Sequence, residues 1–304
     1  MIRKIIFISI FALILSQESG GSLAFMNISP SSNSHSLGNT IASEIHSPTS
    51  LLLSPANIWQ YSKIKASTSL WMKSSIPGVS YSNQFGSLSI KQWTLAAGHL
   101  RYGVGGIESY NELAEQGNDF NFAAVAFMFG VANKISNLVW GVGVNGAIEK
   151  FSIQETGNTH MGLDFGVTLL NYDLLNNERI FITGGMCSKN TLYGEDKIKS
   201  AYSTSSVFAR LSLIFLKTTR YTGVFNIYPD LVMHQALGRY HANIGTQMLI
   251  SAKNNYKISL NSGLSDVYIL ADSDERKYST KFSCGISFQK NLTKKLGKIE
   301  FQFS

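Results

Sequence analysis

The stretch VWGVGVNGAIEKF (residues 139–151), followed after a short turn by THMGLDFGVTLL (159–170), decides the fold. In the second run His160, Gly162, Asp164, Gly166 and Thr168 alternate with Met161, Leu163, Phe165, Val167 and Leu169. In the first, Trp140, Val142, Val144 and Ile148 share one face, closed at its end by Lys150, while Gly141, Gly143, Asn145, Ala147 and Glu149 share the other. A two-residue period belongs to a strand, because successive side chains point to opposite faces of a sheet. Between the runs Thr156-Gly157-Asn158 has the composition of a turn, so the pair reads as a hairpin. The same alternation occurs in soluble sandwiches with the apolar face inward and in membrane barrels with it outward.

The remainder of the chain separates the two. Arg3 and Lys4 precede an apolar run over residues 5–15, and Ser22-Leu23-Ala24 supplies small residues for cleavage, so residues 1–24 read as a secretory signal peptide. The apolar run is shorter than the roughly 20 residues a helical span needs. Charged residues make up 15% of the chain, against about 25% in an ordinary soluble domain. A barrel needs fewer charges because much of its surface faces lipid. The net charge of +7 is scattered apart from the basic run 290–298, which argues against nucleic acid as a partner.

Thirteen alternating runs follow, at 61–72, 78–85, 91–103, 121–131, 139–153, 159–170, 179–187, 205–216, 221–231, 239–250, 256–266, 277–288 and 298–303. Bacterial barrels have an even strand number, so the expectation is about fourteen, with one run missed or merged. In 239–250 Arg239, His241, Asn243, Gly245 and Gln247 alternate with Tyr240, Ala242, Ile244, Thr246 and Met248. A charge facing lipid at mid-depth costs about 2–4 kcal/mol, so polar faces like this one are expected to line the lumen. The two longest gaps, 104–120 and 188–204, both follow odd-numbered runs, and short gaps such as 217–220 and 251–255 follow even-numbered ones. Long loops outside and short turns in the periplasm give that parity. The ending Lys298-Ile299-Glu300-Phe301-Gln302-Phe303 has the alternating aromatic form of a barrel's last strand.

Residues 25–60 lack sustained alternation and carry Pro30, Pro48 and Pro55, yet 41–53 is apolar enough to pack somewhere. Leu37-Gly38-Asn39-Thr40-Ile41-Ala42 and Ser54-Pro55-Ala56-Asn57-Ile58 resemble the N-terminal segment of the PorV/PorQ-like outer-membrane proteins, relatives of the FadL-like transporters. The likeness continues through Phe120-Asn121-Phe122-Ala123-Ala124, the glycine-rich hairpin and Asp164-Phe165-Gly166. Ala147 replaces the family's Lys, and Glu44 is the one acid near the Pro-Ala motif, where the family has a pair. The resemblance implies an all-β transmembrane antiparallel barrel over 61–304, with 25–60 folded into it as a hatch. Hatch candidates are Leu37, Gly38, Ile41, Leu51, Leu53, Ser54, Pro55, Ala56 and Asn57. Taken alone, Ser54-Pro55-Ala56-Asn57 reads equally as an ordinary turn.

Enzyme signatures are missing: there is no His-Glu-x-x-His, Cys-x-x-Cys, Gly-x-Ser-x-Gly or phosphate-binding glycine loop, so no catalytic residue, metal or cofactor is assigned. His160 and Asp164 share a face but lie roughly 13 Å apart along a strand, which suits two lining residues better than a dyad. Cys187 falls on the lumen face with Thr183 and Gly185, and Cys284 on the lipid face with Phe282 and Ile286, too far apart for a disulfide.

Three functions fit these features. The first, implied by the resemblance, is a barrel that binds or passes hydrophobic or amphiphilic molecules such as fatty acids through a hatch-gated lumen. There His160, Asp164, Arg210, Arg239, His241 and Gln247 are the lining candidates: the basic groups would hold an anionic head, and Ile41, Leu51 and Leu53 would contact its tail. Arginines that pair with Glu149 and Asp164 merely to fill the lumen are the plainer reading. The second function is a non-enzymatic component of protein export of the type IX secretion kind, with export-machinery proteins as partners. The third is a structural barrel surrounded by outer-membrane lipid and holding no ligand.

Overall fold

Each of the thirteen alternating runs forms a strand, because each offers one face to a partner layer and another to a different environment. The computed structural model describes residues 31–61, 63–72, 79–107, 120–151, 158–175, 178–189, 204–234, 239–252, 256–268, 280–291 and 298–303. The expected signal peptide at 1–24, residues 25–30 and Thr156-Gly157 lie outside the described residues, as do most of the two longest connections. The strands are β1 (Ile64–Met72), β2 (Val79–Ile90), β3 (Trp93–Ile107), β4 (Phe120–Ile135), β5 (Leu138–Phe151), β6 (Asn158–Asp173) and β7 (Ile180–Lys189). They continue as β8 (Thr204–Lys217), β9 (Tyr221–His234), β10 (Arg239–Ala252), β11 (Tyr256–Tyr268), β12 (Lys281–Asn291) and β13 (Lys298–Phe303). They form one antiparallel sheet of thirteen strands in chain order. Among the described residues β1 pairs with β2 alone and β13 with β12 alone.

Before the sheet, residues 31–60 form a short helix, α1 (Ser32–Ser36), and three 3₁₀ turns at Ile41–Glu44, Pro48–Leu52 and Pro55–Ile58. Proline opens two of these turns, where its missing N–H leaves nothing unsatisfied. The segment packs against both ends of the sheet: the second turn touches β1 to β4, the third β3 to β6, the first β8 and β9, and α1 β11 to β13. Laid flat, thirteen strands would span roughly 58 Å. So short a segment reaches both edges only because the sheet curls around it.

The curl gives the sheet a covered face and a bare one, and their chemistry is inverted relative to a soluble protein. Polar residues are covered: Asn145, Asp164, Thr168, Asn226, Asp230 and Asn261 are all buried. Apolar residues are bare: Phe129 is 58% exposed, Met161 71% and Phe282 72%. Soluble monomers rarely carry an apolar patch beyond about 300–600 Å². Here apolar side chains face outward on neighbouring strands from β4 to β12. The outward aromatics Trp93, Tyr172, Tyr221 and Tyr256 are exposed and stand at the same end of the sheet, the end that carries the short turns 91–92 and 218–220.

Cys187 is buried on the covered face, Cys284 is exposed on the bare one, and both are free. In detergent without reductant a maleimide should therefore label Cys284 at once and Cys187 only after denaturation. An intramolecular disulfide in the purified protein would show the strand phases to be wrong.

Candidate functional site

The covered face and the segment on it are joined at places where the sheet has glycine instead of a side chain. α1 ends in a glycine-terminated turn: Gly38 takes φ +69, its N–H donates to the His35 carbonyl at 3.1 Å, and the Asn39 N–H donates to the Ser34 carbonyl at 2.8 Å. This turn lies directly on β10 and β11. A Cβ on Gly263 would stand 2.2 Å from the Gly38 nitrogen, and one on Gly245 would stand 2.5 Å from the Leu37 carbonyl oxygen. The Pro55 turn sits in the same manner on β5 and β6, where a Cβ on Gly141 would meet the Pro55 carbonyl at 2.5 Å and one on Gly166 the Ser54 hydroxyl at 2.6 Å. Ser54, Pro55, Ala56 and Asn57 are all buried, which rules out an ordinary surface turn.

Polar contacts fix the register of the segment between these two docks. Thr168 donates to the Asn57 side-chain oxygen at 2.7 Å, and the Ile41 N–H donates to the Asp230 carboxylate. The Cys187 thiol donates to the Leu53 carbonyl at 3.4 Å, and Ser87 donates to the Gln60 side chain at 3.1 Å. Leu37, Ile41 and Leu51 are buried, with Leu37 and Ile41 packed near Phe208 and Tyr228 and Leu51 in the larger cluster around Leu100 and Met128. Where the chain leaves the segment, Lys134 lies 4.3 Å from the Trp59 ring centre, and Trp59, His46 and Tyr61 pack edge to face.

The predicted lining residues separate into groups. Gln247 is the centre of a ladder across three strands: its carbonyl accepts from Asn226 at 3.0 Å and the Tyr228 hydroxyl at 2.9 Å, and its amide donates to Asn261 at 3.1 Å. Asn261 passes the ladder to the segment by donating to Ser36 at 2.9 Å. Asp164 accepts from Asn145 at 3.1 and 3.2 Å. Arg210 donates to the Asn171 and Thr183 oxygens at 3.2 and 3.3 Å, towards the short-turn end, rather than to a carboxylate. His241 lies 3.8 Å from Asp266 at the opposite end, and Asp266 also accepts from Lys281 at 3.0 Å. Arg210 and His241 therefore do not converge on one head group. The backbones of His160, opposite Ala147, and Arg239, opposite His234, follow the phase of the covered face, and their side chains lie outside the described residues. Burial, and secondarily the Lys281 ammonium, lowers the pKa of His35 on α1, so the helix brings no charge of its own toward β12 near neutral pH.

Two buried groups that sequence reasoning passed over are Asp230 and Lys189. Asp230 holds the backbone of the segment, and Lys189 interacts electrostatically with Asp164. The alternation of β9, Asn226, Tyr228 and Asp230 against Phe225, Ile227 and Leu231, was signal enough to find the first.

Gly263→Val should displace the segment, since backbone and not a flexible side chain occupies the space; overpacking of this kind costs about 1–3 kcal/mol. Protease should then cut residues 31–60 in the folded protein, while Gly103→Ala, whose Cβ would meet the Ser80 hydroxyl at 3.1 Å and the Phe122 carbonyl at 3.8 Å but no part of the segment, should leave them protected. Equal protection in both variants would mean that the glycine dock does not hold the segment. No protein-family model matches the chain, and no curated protein matches it.

Proposed function

We propose that the sheet closes into a transmembrane barrel of about fourteen strands in a Gram-negative-type outer membrane, after leader cleavage near Ala24, with residues 25–60 as its hatch. Support comes from the inverted faces, from the aromatic row beside the short turns, which suits a membrane interface, and from the nine strands β2–β6 and β8–β11, whose 12–16 residues exceed the 9–11 a tilted span needs. Loop parity supports an orientation with the short turns in the periplasm. The likeness to FadL-like and PorV/PorQ-like proteins points the same way.

On this reading the protein is not an enzyme, and it binds or passes hydrophobic or amphiphilic molecules through the hatch-gated lumen. The observation that carries the proposal is the seat of the hatch. Under α1 and the start of the Pro55 turn it rests on glycine backbone and on Asn, Ser and Thr side chains, so that part of the wall is wettable once it moves, while Leu51, Leu52 and Ile58 hold the middle of the segment on an apolar patch around Leu100 and Met128.

Removing residues 25–53 should convert a closed barrel into one that conducts ions in a planar bilayer while keeping its heat-modifiable mobility. Arg239→Ala should lower copurified fatty acid several-fold without loss of folding, whereas Arg210→Ala should lower stability, since Arg210 ties β8 to Asn171 and Thr183. A barrel that stays closed without its hatch, carries no lipid and copurifies with export proteins would replace the transport reading with the export-component one. Protease sites inserted at 108–118 or 190–199 should be cut on intact cells and one at 217–220 should not; equal cutting would sink the orientation.

A further inference from the structure

The bare face is not uniform. Strand register arranges its side chains in rows that run across β1 to β5. One step in from the row at the short turns, Ile90, Trp93, Asn133 and Trp140, the next row reads Ile64, Leu88, Leu95, Val131 and Val142, all apolar and directly paired. The next reads Gly86, Ala97, Phe129 and Val144. Because Gly86 and Ala97 are small between bulky neighbours, the wall is indented there. The result is an open groove of about 790 Å³ whose lining is almost wholly apolar.

Towards the long loops the rows change character. Gln84 and His99 come next, then Ser82, Arg101, Val125 and Ile148, then Gly103, Ala123 and Lys150. Arg101 and Lys150 are exposed on this bare face. No Asp or Glu shares the bare face of β2, β3, β4 or β5, since the one acid in those strands, Glu149, is buried on the other side. Arg101 lies about 14 Å along its strand from Ala97, at four residues of roughly 3.4 Å each. Trp93 and Trp140, 5.6 Å apart edge to face, mark the opposite end of the same strip. From Trp93 to Arg101 a tilted strand rises about 19–22 Å, close to the roughly 25 Å height of an outer-membrane apolar band. The groove thus lies within the band and the two cations at its upper edge.

We propose that this strip of β1 to β5 is a binding site for one anionic, phosphate-bearing membrane lipid of the leaflet on the long-loop side. An acyl chain lies in the groove over Gly86 and Ala97, and Arg101 and Lys150 hold the phosphate. The two cations sit two strands and one row apart, roughly 12 Å before their long side chains reach toward each other, which suits a head group with more than one anionic oxygen. Among the described residues of β2 to β5 no carboxylate on this face competes with a lipid for their charge. This site is outside the barrel and separate from the hatch; it rests on the membrane reading above.

The test uses the full-length protein refolded into phosphatidylcholine vesicles containing brominated phosphatidic acid or brominated phosphatidylcholine. Bromine on the acyl chain quenches tryptophans that it touches, and Trp93 and Trp140 border the strip. Wild type should prefer the anionic lipid, each cation contributing about fivefold. Arg101→Gln with Lys150→Gln should remove the preference and leave quenching by phosphatidylcholine intact. Ala97→Phe, which fills the groove with an apolar ring, should weaken quenching by both lipids. Equal quenching by the two lipids in wild type, or a preference that survives the double substitution, overturns the lipid site while the barrel stands. Failure of the protein to insert into vesicles as a heat-modifiable species overturns the membrane reading and the site with it.

Discussion

Close approach of backbone to backbone at glycine is the contact on which the rest of this structure depends. The Leu37–Gly38 turn on Gly245 and Gly263, and the Pro55 turn on Gly141 and Gly166, set the segment's position at two places far apart around the sheet. Side chains at those four strand positions would hold the segment off the wall, and every polar contact between the docks would lengthen. The glycines weaken their strands, since glycine in a strand interior forfeits packing. The segment supplies the missing packing, so the sheet and its filling stabilise each other.

The polar groups between the docks follow from the same arrangement. Once backbone lies on backbone, the flanking Asn, Gln, Ser and Thr side chains are shut away from water and must find partners inside. The ladder from Asn226 and Tyr228 through Gln247 and Asn261 to Ser36 is that solution across β9, β10 and β11. Thr168 with Asn57 is its counterpart on β6. Each bond of this kind adds about 0.5–1.5 kcal/mol net, but losing one partner leaves a buried group unsatisfied at about 1–3 kcal/mol. The interface therefore specifies one seating strongly while its individual contacts stay modest.

The fold was legible in the sequence because every strand repeats one short-range rule. All thirteen alternating runs became strands, and their phases place Asp164, His241 and Gln247 on the covered face and Cys284 on the bare one. β2 runs on to Ile90, past the expected end at 85, because Ser87 and Leu88 continue the alternation and Ser87 finds Gln60. The site was less legible, since phase tells which face a residue occupies but not its height on the wall. Arg210 and His241 share a face, yet register carries one towards Thr183 and the other towards Asp266. The docks were hidden for a different reason: Pro55 meets Gly141 and Leu37 meets Gly245 across long sequence separations, and no local pattern links them. The fourteenth strand and the closure of the sheet remain part of the proposal.

The segment is held unequally at its two ends, and this gives any movement a direction. At its C-terminal end it continues covalently into β1, with Trp59 and Tyr61 packed under Lys134. At the other end stands α1, a helix of five residues. Isolated helices below about 12–15 residues are marginal in water, so α1 owes its form to its surroundings. Ser31 caps it by accepting from the Ser34 N–H at 3.0 Å, Gly38 closes it, and Asn261 fastens it to β11. Lifting Gly38 from Gly263 removes the contact that positions the helix terminus, and the helix then has little reason to persist. Among the described residues the covalent link to β1 and the packing of Trp59 and Tyr61 under Lys134 therefore make the C-terminal end of the segment its fixed end, and α1 the end whose form depends most on its dock.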